Sequence, residues 1–438
     1  MAVPHLVTAD YTRGDDPSLW HRHTYFEYFP EPNERSRRAV SDGERSLLII
    51  LPAYLNASLS YDADDVFRTM WRDSAASVFE ASSYGRVTYP ESLGAVVSVD
   101  VQTGLGPYCT PFSYTDYILD HWHTFNVSVN ASLFDSILTF VPEASGCAWG
   151  GLAFVNGCSS PGNTFCRAWV VTNDATTIAH ELGHTIHFNH ASLNEADDGT
   201  NSVEYGDGTD VMGSSPAPVH FNFVHATEHG FTNWAWYDNS ACTTVTVSAL
   251  HVAPSPGTIH GVLAERFPSF SEIAAREAFC NTTTCPADRS AFSVLSILGS
   301  SVVARTTYYV SYRGYGGLDA NLSLAHRRRV YVHAYANDTG SEYAIDNSRL
   351  VASIGRGEKW RGTTLRVRVV STSDGAATIR FCPHDKTSTD TTTVWIIVGS
   401  IAASFLLIAA FLMVVIWNRR SVYPAYDKLP SRRADGPS

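Results

Sequence analysis

Charged residues are scarce in this chain, and basic residues are scarcer than acidic ones. Asp, Glu, Lys and Arg make up 17% of the 438 residues, whereas hydrophobic residues make up 44%. This composition excludes an intrinsically disordered chain and a long coiled coil. The 31 basic and 43 acidic residues give a formal net charge of −12. Because nucleic-acid binding needs a positive electrostatic footprint, we predict no nucleic-acid partner.

The chain also lacks internal repeats and a recognisable signal peptide. No period of about 20 to 50 residues recurs, which excludes solenoids and propellers. The first residues, MAVPHLVTADYTRGDD, contain neither a charged leader nor an apolar core. Taken alone, this start predicts a tail-anchored protein with a cytosolic body. The cysteines and glycosylation motifs favour an extracellular body instead, with the start of the chain missing or misassigned, and both alternatives stay open.

One long hydrophobic run lies near the C-terminus. Val394–Trp417 reads VWIIVGSIAASFLLIAAFLMVVIW, 24 residues without a charge. As a helix it would be about 36 Å long, enough to cross a hydrocarbon core of about 30 Å. Tryptophans lie near both ends and two arginines follow directly. The positive-inside rule therefore predicts a single membrane span, a cytosolic tail at 418–438 and an extracellular body at 1–393.

Cysteines and glycosylation motifs lie only on the predicted outer side of this span. The eight cysteines occupy positions 109, 147, 158, 166, 242, 280, 285 and 382. Six Asn-x-Ser/Thr motifs begin at residues 56, 126, 130, 281, 321 and 337. We therefore expect an extracellular, disulfide-bonded glycoprotein, with the disulfide pairing left open.

Hydrophobic periodicity divides the chain into segments of different texture. Before Cys242, apolar runs typical of buried strands (45–54, 95–101) alternate with helical spacing (62–82, 114–125). After it, segments such as RRVYVHAY and TLRVRVVSTS alternate with period two, as in a β-sandwich. We predict an α+β chain with an N-terminal segment (1–43), a mixed domain (44–241), a β-rich domain (242–383), a stalk (384–393), the membrane span (394–417) and the tail (418–438).

The residues able to carry chemistry concentrate in NDATTIAHELGHTIHFNHAS (173–192). His180 and His184 are four residues apart, so their imidazoles lie on one face of a helix and can bind one zinc ion. Glu181 is offset by one residue and would sit beside the metal without ligating it. From there its carboxylate can act as general acid/base, taking a proton from a zinc-activated water and passing it to the leaving amine.

A third zinc ligand cannot lie on the same straight helix. His187 shares the face of His180 but lies about 10.5 Å further along the axis. If the helix ends near residue 187 and the chain turns back, His190 completes the ligand set and leaves a fourth position for water. Met212, in DVMGSS, follows His190 by 22 residues and is the candidate methionine of a Met-turn. Together these residues form the long metzincin pattern.

Several segments around these ligands carry a family resemblance. They are HELGHTIHFNHAS (180–192), EYGDGTDVMGSS (204–215) and HFNFVHATEHGFTNW (220–234), with weaker likeness in ASSYGRVTYP (81–90) and YYVSYRGYGGLD (308–319). In these segments the chain resembles the gametolysin family of metzincin metallopeptidases. The resemblance implies a metzincin-like catalytic domain and a zinc endopeptidase acting on extracellular or cell-wall glycoproteins. By motif position it implies zinc ligands His180, His184 and His190, acid/base Glu181 and turn methionine Met212.

His187 departs from the family pattern, which has Gly at this position. The Gly serves the bend between the second and third ligands, where a side chain at positive φ costs on the order of 1–3 kcal/mol. Either His187 accepts this strain or the bend moves towards Asn189, which tolerates the left-handed conformation. Because an altered bend would weaken zinc binding, two functions remain: an active membrane-anchored zinc endopeptidase, or a catalytically silent metzincin-fold ectodomain used for adhesion or binding.

Other polar residues near Met212 have weaker claims to function. His220, His225 and His229 could polarise a substrate carbonyl, but a structural role is favoured for each. The acidic segment EYGDGTD (204–210) could form a calcium loop, although its glycines favour a turn. No Tyr lies two residues after Met212, so the tyrosine ligand of some metzincins has no counterpart at that position.

Overall fold

The computed structural model describes residues 42–104, 109–125, 127–155, 157–159, 166–194, 202–237, 241–266, 306–336 and 348–384. Within them the fold is mixed α+β, rich in sheet and poor in helix, as the periodicity predicts. The chain divides into two units, Met1–Pro383 and His384–Ser438. None of the described helices is long and apolar enough to cross a membrane, and the predicted span at 394–417 lies outside the described residues.

A five-stranded sheet forms the centre of the first part. Its strands are β2 (Leu47–Tyr54), β4 (Gly94–Val101), β5 (Ser136–Phe140), β6 (Gly151–Ala153) and β7 (Arg167–Val170). They lie in the order β4-β2-β5-β7-β6, and only the edge strand β6 runs antiparallel. The continuous apolar run in β2 is explained by burial on both faces, since Leu47 and Ile49 enter one core and Leu48 and Ile50 enter another.

Helices cover both faces of this sheet. They are α1 (Ala63–Phe67), α2 (Ala75–Ser83), α3 (Pro111–Asp120) and α4 (Ala175–Thr185), whereas a fifth helix, α5 (Phe223–Glu228), packs Phe223 and Val224 against residues later in the chain. The helix predicted over 62–82 is interrupted, because Ser74 adopts φ 102° between the π-helical turn that follows α1 and the start of α2. The helix predicted over 114–125 begins earlier, with Pro111 at its first position, and ends at Asp120.

Two further sheets form the β-rich part. The six-stranded sheet has the order β8-β14-β13-β12-β11-β9, and the four-stranded sheet has the order β10-β17-β16-β15. The strands are β8 (Ala191–Leu193), β9 (Trp234–Tyr237), β10 (Thr243–Ser248), β11 (Gly261–Arg266), β12 (Thr306–Arg313), β13 (Arg329–Ala336), β14 (Ser348–Ile354), β15 (Lys359–Arg361), β16 (Leu365–Thr372) and β17 (Ala376–Pro383). Apolar residues of both sheets share one core. A short parallel pair, β1 (Gly43–Glu44) with β3 (Val87–Thr88), completes the described strands.

Strand pairing crosses the boundary predicted between residues 241 and 242. Strand β8 precedes that boundary but pairs in parallel with β14, so that Ala191 lies opposite Ser348. Strand β9 likewise pairs with β11. The division at residue 241 stays a prediction, and the six-stranded sheet draws strands from both of its sides.

Six of the eight cysteines form disulfides, as the extracellular interpretation predicts. The pairs are Cys109–Cys147, Cys158–Cys166 and Cys242–Cys382. The last pair links the residue before β10 to β17, across 140 residues of sequence. The remaining cysteines, 280 and 285, lie outside the described residues.

Candidate metal centre

Helix α4 carries the first two candidate ligands. Its N-cap is Asp174, whose carboxylate accepts hydrogen bonds from Thr177 N at 2.8 Å and Thr177 Oγ1 at 3.0 Å. Its apolar face is buried in the core against the five-stranded sheet. His180 and His184 therefore project together from the other side of a helix whose start and orientation are fixed.

The bend after α4 is made by His187 itself. Its φ is 80°, whereas Asn189 is not among the described residues with positive φ. His187 N donates to His184 O at 2.9 Å and Phe188 N donates to Gly183 O at 3.0 Å. This pair of bonds is a Schellman motif with His187 at the left-handed position that glycine usually takes. His187 therefore adopts the strained left-handed backbone conformation itself, and the bend stays at the position where the family pattern has Gly.

The bend brings three imidazoles together. The Nε2 atom of His184 lies 3.1 Å from Nε2 of His180 and 3.1 Å from Nε2 of His190. One donor atom from each of the three residues lies within 4.8 Å of the others. A tetrahedral zinc with bonds of about 2.0–2.1 Å holds its ligand nitrogens about 3.3–3.4 Å apart, so the donor set fits such an ion.

The other ring nitrogen of each ligand is held by the protein. His180 Nδ1 lies 2.9 Å from Val211 O, and His184 Nδ1 lies 2.7 Å from Phe188 O. Because a carbonyl oxygen only accepts, these Nδ1 atoms donate, which leaves both Nε2 atoms with lone pairs for a metal. His190 Nδ1 lies 2.9 Å from Glu204 Oε1, which gives the third ligand a carboxylate partner. Burial, reinforced by the two neighbouring imidazoles, holds the pKa of His184 well below its usual value, so this ligand is neutral.

Glu181 follows His180 in helix α4 and does not belong to the converging donor set. Its side chain is only 5% exposed, and burial raises its pKa well above the usual value for a glutamic acid. Its Oε2 atom has no hydrogen-bond partner among the described residues. The carboxyl packs directly on Gly151 of β6, where an added Cβ would lie 2.4 Å from Glu181 Oε1. The absence of a side chain at Gly151 thus makes room for the acid/base candidate.

Met212 lies beneath helix α4, as expected for a Met-turn. It is fully buried, and its sulfur would lie 2.7 Å from a Cβ added at Gly183. Its amide donates to Asp210 Oδ1 at 2.6 Å, and its carbonyl accepts from Ala191 N at 2.9 Å. These contacts tie the turn to the strand that follows His190. Met212 supports the ligand helix from below and donates no atom to the cluster.

Sequence reasoning did not find the contacts that hold the loop around Met212. Asp210 Oδ2 accepts from Asn222 N at 2.6 Å and lies 3.1 Å from His225 Nδ1. Arg313 of β12 is buried and donates to Thr209 O at 2.7 Å and to His220 O at 2.9 Å. Its other terminal nitrogen donates to Asp319 at 2.7 Å.

A second strand of the six-stranded sheet reaches the same loop. His333 Nε2 on β13 lies 3.0 Å from Asp207 Oδ2, and the other oxygen of Asp207 accepts from Thr209 N at 2.9 Å. The carboxylates of Asp207 and Asp210 therefore accept hydrogen bonds from protein donors, and the carboxylate of Glu204 is bonded to His190. This arrangement supports the turn that the glycines favour for EYGDGTD rather than a calcium loop.

The three histidines that follow the Met-turn are structural. His229 lies 2.8 Å from Ile186 O through Nε2, and burial lowers its pKa to about 4. His220 is buried beside Ser82, and burial likewise lowers its pKa to about 4. His225 stacks on Phe188 at a ring-centroid distance of 5.2 Å.

Tyr205 is an aromatic residue of the site that the metzincin sequence pattern does not predict. Its ring centroid lies 4.1 Å from that of His190 and 5.9 Å from that of His180. The pattern of other metzincins points to a tyrosine after the turn methionine, whereas Tyr205 precedes Met212 by seven residues. Its ring packs on the third ligand and restricts rotation of that imidazole.

Comparison with known proteins agrees with these features. The sequence model of the gametolysin peptidase M11 family matches residues 64–366, well over half of the chain. An autolysin of Chlamydomonas reinhardtii is 25% identical over 271 residues, which cover 55% of this chain and 39% of the autolysin. This chain thus spans well under half the length of that relative.

Likeness to solved structures is slight. Metalloproteinase-II from Bacteroides fragilis is 17% identical, with 43% of this chain and 53% of that chain covered, at a TM-score of 0.29. A chaperone–substrate complex is 11% identical, with 43% and 33% covered, at a TM-score of 0.23. At these TM-scores neither structure is similar enough to indicate the fold of this chain. The family match, which covers more than half of the chain, gives the conclusion: the chain belongs to the gametolysin peptidase M11 family.

Proposed function

We propose that the protein is a zinc-dependent endopeptidase that hydrolyses peptide bonds of extracellular-matrix or cell-wall glycoproteins. The observation that carries the proposal is the convergence of three imidazole nitrogens, with the buried carboxyl of Glu181 on the same helix as two of them. Family membership and the match to an autolysin support the class of substrate. The metzincin-like catalytic domain followed by a sandwich-like β domain remains our interpretation of the two parts of the fold.

The chain's own residues divide the work of peptide hydrolysis. A zinc ion on His180, His184 and His190 would supply the positive charge that acidifies water and polarises the scissile carbonyl. Glu181 takes a proton from the attacking water and passes it to the leaving amine nitrogen as the C–N bond breaks. Burial raises the pKa of Glu181, so its carboxylate is a stronger base than an exposed one and can hold the proton between these two transfers.

The edge strand β6 is suited to align the substrate. It is the only antiparallel strand of its sheet and ends the strand order on that side. An extended substrate can add to this edge through main-chain hydrogen bonds. Gly151 on this strand contacts the Glu181 carboxyl, so a peptide bound along β6 passes next to the acid/base.

The proposed enzyme is anchored by a single span at 394–417, with residues 1–393 outside the cell and a cytosolic tail at 418–438. The uncharged run and the arginines after it support this topology, as do the disulfides. The check is protease protection of an N-terminal epitope in sealed cells. Digestion of the epitope by external protease is expected, whereas full protection together with the absence of glycosidase-sensitive mass would favour a cytosolic body.

The alternative of a catalytically silent ectodomain depended on His187. That residue takes the bend conformation, and the three donors meet despite it. Neither of these two observations favours the silent alternative.

The decisive experiment separates chemistry from metal binding. Glu181→Gln should retain about one zinc per chain, because Glu181 is not a ligand, while casein hydrolysis falls by roughly 10² to 10⁴. His190→Ala should lose both zinc and activity, since two imidazoles rarely hold zinc alone. Chelation of the wild type should abolish hydrolysis and added zinc should restore it. Full activity of Glu181→Gln, or full zinc content of His190→Ala, would refute the assignment.

A further inference from the structure

The exposed face of the four-stranded sheet carries a concentration of basic side chains. It is formed by the residues that alternate with buried apolar ones such as Val367, Ile379 and Phe381, so all of its members point away from the shared core. We call it the basic face, and its members are Lys359, Arg361, Arg366, Arg368 and Arg380. Five cations on one face are unexpected in a chain with a net charge of −12.

The strand register sets these cations directly opposite one another. Lys359 of β15 is the partner of Arg368 of β16, and Arg368 is in turn the partner of Arg380 of β17. Arg361 is the partner of Arg366 in the neighbouring row. Strands lie about 4.7–4.9 Å apart, so three positive charges are attached within a backbone distance of about 10 Å. Like charges in direct cross-strand pairs are destabilising, so this arrangement costs the fold some stability.

Carboxylates do not offset this cost within the described part of the chain. Nearby arginines outside the face are paired, since Arg328 contacts Asp374 at 2.6 Å and Arg329 contacts Glu358 at 3.1 Å. By contrast, Lys359, Arg361, Arg368 and Arg380 have no acidic partner among the described residues. The adjoining strand β10 presents threonines to the same face, opposite β17. Apart from Arg366, the cations of the basic face are thus exposed and have no acidic partner among the described residues.

We propose that the basic face binds an anionic polysaccharide, one that carries sulfate or carboxylate groups along its length. A row of cations at regular strand spacing is complementary to a linear polymer with recurring negative charge. The threonines of β10 offer hydroxyl partners for sugar hydroxyls.

Polysaccharide is favoured over other polyanions by the chemistry of the face and its compartment. The face has no aromatic side chain on which single-stranded bases could stack, and a flat sheet does not enter a duplex groove. The disulfide Cys242–Cys382 ties together the same sheet and indicates an oxidising compartment. Strongly anionic lipid belongs to the cytoplasmic leaflet, on the other side of the membrane. Binding of this kind would hold the peptidase in the matrix and raise the local concentration of its substrates.

The test measures binding of the full chain to immobilised dextran sulfate, with uncharged dextran as a blank. Arg368→Ser/Arg380→Ser removes two cations of the basic face. Arg68→Ser/Arg72→Ser removes two exposed cations elsewhere, which are paired with Asp65 and Glu91. The first variant should bind at least about tenfold more weakly at physiological salt, with a slope of log K against log salt shallower by about two. The control should match the wild type within about twofold.

Several outcomes would overturn the proposal. They are equal loss in both variants, loss in neither, binding to the uncharged dextran, and tighter binding of the basic face to single-stranded RNA or to phosphatidylserine vesicles than to dextran sulfate. Cleavage of a short soluble peptide should be unchanged in both variants. The Tm of Arg368→Ser/Arg380→Ser should equal or exceed that of the wild type, because two like-charge contacts are removed. A loss of Tm would show that the cations serve the fold and would count against the proposal.

Discussion

Helix α4 and the loop at 204–212 both contribute to the candidate metal centre, yet they are held by different interactions. The helix packs Ile178, Ala179 and Leu182 into an apolar core and begins at a local cap. The loop buries the carboxylates of Asp207 and Asp210 completely. The position of the helix follows from apolar burial and from residues close in sequence. The position of the loop depends on donors that β12 and β13 supply from about a hundred residues away.

The largest expected effect comes from removing the buried cation on the loop side. Arg313→Met leaves Asp319 and two carbonyl oxygens buried without their donor, so the free energy of unfolding should fall by about 3–5 kcal/mol. Urea unfolding of the zinc-free protein measures this. The matched control is Arg328→Met, whose ion pair with Asp374 is more than half exposed and should contribute about 1 kcal/mol or less. Equal decreases in the free energy of unfolding for the two variants would show that the buried ion pair of Arg313 stabilises the fold no more than the exposed pair of Arg328.

The pH dependence of stability should also distinguish the loop side. Burial lowers the pKa of His220 to about 4, with Asp319 opposing the shift and Arg313 and His251 adding to it. Below the unfolded-state pKa of about 6.5, His220 is protonated in the unfolded chain but stays neutral in the folded chain until the pH reaches about 4. The free energy of unfolding therefore decreases as the pH falls from 6.5 to 4.

The measurement for this prediction is the free energy of unfolding at several pH values. His220→Asn should flatten the loss between pH 6.5 and 4 by up to about 3 kcal/mol. The exposed His123→Asn is the control and should follow the wild-type curve. Parallel curves for wild type and His220→Asn would contradict the prediction.

A smaller effect is expected where the loop meets a ligand. His180 and His184 are oriented by main-chain carbonyls, whereas His190 relies on the side chain of Glu204. Glu204→Gln should lower zinc affinity by about 10- to 100-fold, as measured by competition with a chelator. The exposed Glu80→Gln carries the same charge change on α2 and should leave affinity unchanged. Similar affinities for all three proteins would mean that the carboxylate adds nothing to the ligand.

The smallest effect concerns the junction between helix and loop. His187→Gly should stabilise the protein by about 1 kcal/mol, because glycine adopts a φ of 80° without the steric cost. His187→Ala should bring no such gain, since alanine keeps the Cβ. Differential scanning calorimetry compares the two variants. Zinc content and peptidase activity should be kept or improved in His187→Gly, and loss of zinc from it would mean that His187 is a ligand.

The helix side could be predicted from the sequence because its determinants are local. The four-residue spacing of His180 and His184 is one turn of helix, and Asp174 is a cap by its position alone. The place of the third ligand followed from the length of the helix. On the loop side, the contacts of Arg313 with Thr209 and His220 span about a hundred residues, and no periodicity encodes them. The sequence alone does not distinguish a buried arginine in a strand from an exposed one, because its partners are distant in sequence.

Strand β8 has a consequence for how the enzyme is made. It begins at Ala191, directly after the third ligand, and its partner in the sheet starts 157 residues later, at Ser348. At about 5–20 residues per second, the ribosome needs roughly 8–30 s to synthesise the intervening chain. During that interval β8 lacks its β14 partner, and its main-chain bonds are limited to nearby residues such as Val203 and Met212. The six-stranded sheet that continues from His190 is therefore complete only after Ser348–Ile354 has been synthesised, so the strand beside the candidate site waits for one of the last strands of the described fold.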